Sequence, residues 1–362
     1  MPVPKDIRPL TSLRFFAAMW VVLFHYWPNL SGVMPAVVSR GYLGVELFFT
    51  LSGFILSHVY LDQVADGGFR YGGFLWARLA RVYPLHLATL AGIGAMAVAA
   101  EAAGRSIDGN ILSWPSLPAN VLMVHAWGFA PQAGWNHPSW SISAEWFAYV
   151  TFPLFAWLAL KLKDRPWLAV GAALIAMTAL YAVFPRFSGF PLTRATIAWG
   201  ALRIVPCFAL GCAVNLLWRS GAVRGRRPAI LGAFFSGVAI LLAAQIDAPD
   251  SALVALFGAL IWSLASLSSA GENSGGGRLF VYLGEISYSI YMICIPWKLL
   301  FVNAVSTLFG LDKAHLPIAV WLIFLLSVIP LAAVSYHLVE RPARGLMRRW
   351  AEPRPTTITS VA

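Results

Sequence analysis

Charge is scarce in this chain and acid is scarcest, with 15 Asp and Glu against 26 Lys and Arg in 362 residues. With 59% hydrophobic and only 11% charged residues, the chain cannot cover its apolar surface with water-facing groups. That excludes an ordinary soluble globule and requires lipid as the solvent. Cysteine is nearly missing too. Cys207, Cys212 and Cys294 stand singly in apolar stretches without a CxxC pair, which excludes a disulfide framework and a structural zinc site. No metal is expected. Between residues 12 and 340 there is no polar interval long enough for a soluble module. The expected organisation is one membrane domain over 1–345 and a short basic cytoplasmic tail over 346–362. No small-x-small cleavage signal follows the first apolar run, where Pro28, Asn29 and Leu30 stand, so that run is expected to stay. No internal repeat is present. The one low-complexity run, GENSGGGR at 271–278, reads as a cytoplasmic turn.

What the chain does have is one apolar run after another. Windows near twenty residues fall at roughly 12–29, 42–62, 84–103, 142–160, 167–184, 197–218, 229–246, 251–270, 280–302 and 317–339. They predict an all-α, polytopic transmembrane helical bundle of about ten spans. With the N-terminus inside, 18 of the 26 basic residues fall on the cytoplasmic side, among them Lys5, Arg8, Arg78, Arg81, Arg224, Arg344, Arg348 and Arg354. Arg40, Arg105, Arg186, Arg194, Lys298 and Lys313 fall on the other side, while Arg14 and Arg203 lie within spans. The positive-inside bias therefore places both termini in the cytoplasm. Topology and contact with anionic lipid account for the net charge of +11, leaving nothing for a nucleic-acid partner to explain.

Against this apolar background the few intramembrane polar groups stand out. Arg14 and His25 share the first span. Eleven helical steps of about 100° return to nearly the same face, ~16 Å further along the axis. Glu46 lies near the outer end of the second span, at the depth of His25. Glu145 enters the fourth behind His137, Ser139, Trp140, Ser141 and Ser143. The interval 104–141 mixes Pro115, Pro118, Trp127 and Gly134 with VLMVHAW, which suggests an outward loop with a partly embedded helix.

Several stretches taken in order resemble the acyltransferase family 3 membrane proteins. They are the Arg14 and His25 pair, GYLGVELFFTLSGFIL at 41–56, FLWARLARVYP at 74–84, WNHPSWSISAEWFAY at 135–149, GEISYSIYMI at 284–293 and a closing VERP at 339–342. The resemblance spans nearly the whole chain. It implies transfer of an acyl group, most often acetyl, from acyl-CoA to a hydroxyl of a glycan or other acceptor, in a bacterial plasma (inner) membrane. The sequence departs from the family pattern at Thr11, Ser12 and Phe15, where Asp, Gly and Gly are frequent, at Glu46, where Asp is common, and at Cys294, where His is frequent. Many family members carry a hydrolase-like domain after the last helix. This sequence ends at residue 362, so its acceptor is expected to reach the membrane domain directly.

The resemblance and the depths of the residues together assign roles. Arg14, Arg78 and Arg81, on the inner side, are expected to bind acetyl-CoA through its phosphates, since guanidinium groups pair bidentately with phosphate. His25 is expected to be the general base, with Glu46 or Glu145 fixing its tautomer. His137, Ser139, Trp140 and Ser141 are expected to hold the acceptor. A serine-nucleophile scheme at Ser139, Ser141 or Ser143 lacks a strand-turn-helix elbow and is disfavoured. His58, His86, His125, His315 and His337 are read as structural, and Glu285 and Glu340 as partners of Arg341 or Arg278. The competing class is a proton-coupled transporter using the same Arg, His and Glu groups. It requires broken helices repeated in corresponding halves, which the sequence does not show.

Overall fold

The computed structural model describes residues 7–104, 111–221, 225–269 and 277–351. Lys5, Arg105, Arg224, Arg354, the run 271–276 and the end of the tail lie outside the described residues. The helices are α1 (Arg8–Tyr26), α2 (Ala36–Ser39), α3 (Gly44–Ala65), α4 (Tyr71–Ala102), α5 (Leu117–Val121), α6 (Trp140–Val150), α7 (Phe152–Lys161), α8 (Pro166–Ser188), α9 (Gly200–Arg219), α10 (Arg226–Gln245), α11 (Asp250–Ser269), α12 (Arg278–Glu285), α13 (Ser287–Phe309), α14 (Ile318–Ser335) and α15 (Arg341–Ala351). A π-helical turn, Tyr336–Glu340, joins the last two. No named strand occurs among the described residues. The chain is an all-α bundle.

By length and composition, eight helices among the described residues can cross a membrane, or nine if the bent α6–α7 pair is one span. All nine overlap an expected span. The bend of 56° has a local cause. Pro153 at the start of α7 lacks an amide hydrogen and disfavours helix at the residue before it, so the ladder breaks at Thr151. The remaining expected span, α1, is 19 residues long and carries Thr11, Ser12, Arg14 and His25 among its apolar residues. It is packed among α3, α11, α12 and α13, which is where a polar helix has to be in lipid.

Small residues let this helix and the central pair approach their neighbours closely. A Cβ at Gly44 would lie 2.7 Å from the Ala17 carbonyl oxygen, and one at Gly284 would lie 1.9 Å from that of Thr11. Between α3 and α9, added Cβ atoms at Gly53 and Gly211 would fall 2.1 Å from the Phe208 oxygen and 2.0 Å from the Thr50 oxygen. The glycines of the 41–56 and 284–293 motifs are therefore helix contacts. α3 and α9 are mostly buried, whereas α10 exposes Leu231, Phe234, Phe235, Leu241 and Leu242, as a lipid-facing helix must.

Two features fix the ends of the bundle. The loop before α6 is tied down by buried polar groups. Asn120 O meets His86 Nε2 at 2.7 Å, Trp135 Nε1 donates to Ser113 O at 2.9 Å, and Asn136 Nδ2 donates to Met292 O at 2.9 Å. At the opposite end α15 lies along α4, where Trp76 Nε1 donates to Met347 O at 2.7 Å. The boundary expected at 345/346 thus falls inside a packed helix, and residues 346–351 belong to the same body as the spans.

Candidate active site

Arg14 sits in the second turn of α1. Arg78 and Arg81, three residues apart, share one face of α4. These three side chains converge on a cavity of about 240 Å³ between α1, α3, α4, α6, α13 and α15. Its other polar lining comes from Ser52, Ser141, Glu145, Tyr149, Tyr288, Tyr291 and Arg348, and the rest is apolar, including Phe48, Phe49, Leu51 and Ile55. None of Arg14, Arg78 and Arg81 has an acid within ion-pair distance among the described residues. Arg78 reaches the Tyr60 hydroxyl at 3.4 Å, and its buried Nε has no hydrogen-bond partner. Buried donors are nearly always satisfied, so this N–H is an exception. A second chamber of about 170 Å³ shares Arg14, Leu51 and Ile55 with the first and extends along Ile7, Leu10 and Thr11 toward the start of α1.

Glu145 belongs to this cationic cavity. Its Oε1 accepts from Ser52 at 2.8 Å, and Tyr149 and Arg14 lie within electrostatic range. The expected meeting of Glu145 and His25 does not occur, because α6 begins at Trp140 and sends residue 145 more than a turn inward. Glu46 is displaced from His25 for another reason. Its Oε1 takes Arg203 Nε at 2.5 Å and its Oε2 has no hydrogen-bond partner. Neither carboxylate orients the imidazole.

His25, at the C-terminal end of α1, stands beside His137 and Lys298, and its carbonyl oxygen accepts Lys298 Nζ at 2.7 Å. His25 is not part of the cavity wall, which does include Phe48, Ser141 and Tyr291. Ser141 donates to the Tyr291 hydroxyl at 2.8 Å, and that hydroxyl donates to Pro138 O at 2.9 Å. Ser141 lies one helical turn beyond His137, so this part of the cavity wall and the imidazole pair are adjacent layers.

Two expected acceptor residues are closed off. Trp140 is 5% exposed, with the Arg203 guanidinium 4.5 Å from the centre of its ring and Phe49 against its edge, so it offers no open platform to a sugar. Ser139 is fully buried and faces His125 Nε2 at 3.2 Å. Of the four residues assigned to the acceptor, Ser141 alone lines the cavity, and His137 adjoins His25.

The sequence reading missed three groups. Arg203 lay within a span, but its partner Glu46 is 157 residues away and no spacing rule reaches that far. Glu340 turns out not to pair with Arg341 or Arg278. The π-turn rotates it inward, where it is 1% exposed, accepts from Ser289 at 2.8 Å and faces Arg81 and Arg14. Arg348 was counted as a topology marker, yet it lines the cavity. The 341, 344, 348 spacing of one helical face was the available signal.

Comparison with known proteins identifies the family of the chain. The family described as "Acyltransferase domain" matches residues 9–337. An acyltransferase of Streptomyces mycarofaciens, MdmB, is 31% identical over 326 residues, covering 80% of this chain and 79% of its own. A Staphylococcus aureus protein named as an O-acetyltransferase is 21% identical over 370 residues, and the match covers 94% of this chain but 58% of that longer protein. Protein 2 in the picA locus of Rhizobium radiobacter is 41% identical over 88 residues, 24% of this chain. No solved structure matches.

Proposed function

The chain belongs to acyltransferase family 3 and is an acyl-transferring membrane enzyme, and from that premise we propose that it moves an acetyl group from cytoplasmic acetyl-CoA to a hydroxyl of a glycan or related acceptor near the outer face of a bacterial plasma membrane. The observation carrying this reading is the convergence of Arg14, Arg78 and Arg81 on one cavity, with no acid in ion-pair contact with any of them among the described residues. Three guanidinium groups set against only two nearby acids among the described residues, Glu145 and Glu340, suit a polyphosphate, and the apolar wall beyond them suits a thin pantetheine arm. The chamber along Ile7 and Leu10 adjoins this cluster at Arg14.

In this reading the thioester lies at the Ser141 and Tyr291 end, next to the layer of His25 and His137. His25 takes the proton of the acceptor hydroxyl as its oxygen attacks the thioester carbonyl. The tetrahedral intermediate then expels the thiolate, and the imidazolium returns its proton to sulfur. No acyl-enzyme is formed. Glu145 holds the arginine cluster together through Ser52 and its proximity to Arg14, and Glu46 anchors Arg203 beneath Trp140.

The test is transfer itself. Inside-out membrane vesicles containing the protein receive acetyl-CoA labelled in the acetyl group, and free CoA thiol and label in the vesicle glycan are followed. The reading expects both to rise together above vesicles without the protein. Label movement across the membrane without thiol release would replace the enzyme with a transporter.

A further inference from the structure

The last helix brings a fourth arginine to the donor cavity. Arg341, Arg344 and Arg348 lie on one face of α15, since steps of three and seven residues return to within about 60° of the start. Arg348 reaches the cavity lined by Arg14, Arg78 and Arg81, and it is solvent-exposed, so it stands at the mouth. Arg344 lies behind it, within electrostatic range of Arg81, Arg348 and Glu340. Arg349, the next residue along, is also exposed but is not part of the wall. Gathering Arg14, Arg78, Arg81, Arg344 and Arg348 around two acids, Glu145 and Glu340, leaves an excess of positive charge that suits an anionic ligand.

The position of Arg348 determines which anion it meets. If the thioester must reach Ser141 at the far end, the part of CoA most distant from the sulfur stays at the mouth. That part is the adenosine, with its ribose 3′-phosphate. We infer that Arg348, backed by Arg344, binds the 3′-phosphate of the donor, so that α15 is a wall of the donor site and selects CoA over its 3′-dephosphorylated form. This rests on the donor assignment proposed above. Arg78 and Arg81, deeper in the cavity, are left for the pyrophosphate.

The test removes the phosphate from the ligand and the guanidinium from the protein in turn. Binding of CoA and of 3′-dephospho-CoA is measured by calorimetry on the full chain in detergent, for wild type, Arg348→Gln and Arg349→Gln. Wild type is expected to bind CoA about tenfold or more tightly than dephospho-CoA, the ordinary worth of one charge-assisted contact. Arg348→Gln is expected to weaken CoA binding by a similar factor, leave dephospho-CoA binding unchanged and so lose the preference. Arg349→Gln removes the same charge from the same helix and should keep it. Arg348 is exposed and α15 is held by Trp76, so neither change threatens the fold. The inference falls if Arg348→Gln retains the preference, if both variants lose it equally, or if wild type binds the two ligands alike. In each of those cases CoA still binds, so the donor assignment survives. If wild type binds neither ligand, the donor assignment falls and this inference falls with it.

Discussion

The Glu46 and Arg203 pair makes a prediction whose size follows from its surroundings. The two side chains are 0% and 3% exposed, joined at 2.5 Å, and Arg203 has Ala195 O at 2.8 Å and the Trp140 ring as its other contacts. Glu46→Gln removes the only acid bonded, among the described residues, to a guanidinium that cannot shed its proton. Breaking a buried pair from that side costs about 3–5 kcal/mol. Arg203→Met is the milder change, because a lone carboxyl can take up a proton and stay as a neutral group, leaving a loss nearer 1–3 kcal/mol. The double variant leaves no buried charge at the site. It should cost less than the sum of the single changes by about 1–3 kcal/mol of coupling. Denaturation in mixed micelles, followed through the 16 tryptophans, gives all four corners of this cycle. Acetyl transfer in the double variant should also exceed that of Glu46→Gln alone, because Glu46 serves Arg203 and not the imidazole. Additivity within about 0.5 kcal/mol, or a double variant that regains stability without regaining any transfer, would refute the assignment.

Three further outcomes are expected. Replacing Arg78 and Arg81 together with alanine should weaken acetyl-CoA binding by about 1.5–3 kcal/mol for each lost charge-assisted contact, read by calorimetry; unchanged affinity would return them to being topology markers. Gly211→Val places side-chain carbon against the Thr50 carbonyl oxygen, 2.0 Å from an added Cβ, and should lower stability by about 1–3 kcal/mol or more, seen as a reduced melting temperature in detergent, while Gly237→Val, where nothing lies within 4 Å, should not. Cysteines at Val33 and Gly277 in a background without the native three should divide, with position 33 reacting with an impermeant thiol reagent outside intact cells and position 277 protected; the reverse would turn the bundle over and cut the arginine cavity off from cytoplasmic acetyl-CoA. Gly41, an outer-side alternative to Val33, is unsuitable because its Cβ would sit 2.4 Å from the Trp20 oxygen.

The class of fold was legible because lipid imposes it: twenty-residue apolar runs have one economical structure, and nine of them appear where hydropathy puts them. The breaks at Thr151 and Ile286 were not legible, since hydropathy averages over a window and a bend is decided by one proline or one close helix contact. For the expected inner half of the site, the sequence put three arginines, Arg14, Arg78 and Arg81, at one depth, and they line one cavity. The outer half was read by depth alone, and depth does not say which way a side chain points around its helix. Glu46 shares the layer of His25 yet turns toward α9, and Glu145 turns toward the arginines. A partner 157 residues distant, or a glutamate swung inward by a π-turn, needs the three-dimensional packing to be seen.

The central claim is that His25 activates the acceptor hydroxyl for attack on a donor held by the arginine cavity. The most direct measurement compares wild type and His25→Ala for acetyl transfer from labelled acetyl-CoA and, in parallel, for CoA binding. A positioned base contributes about 10²- to 10⁴-fold. Transfer is expected to fall by at least that lower factor while CoA affinity stays within about twofold, because His25 does not line the donor cavity. A variant that keeps more than about a tenth of wild-type turnover, or one that loses CoA binding along with transfer, contradicts the account.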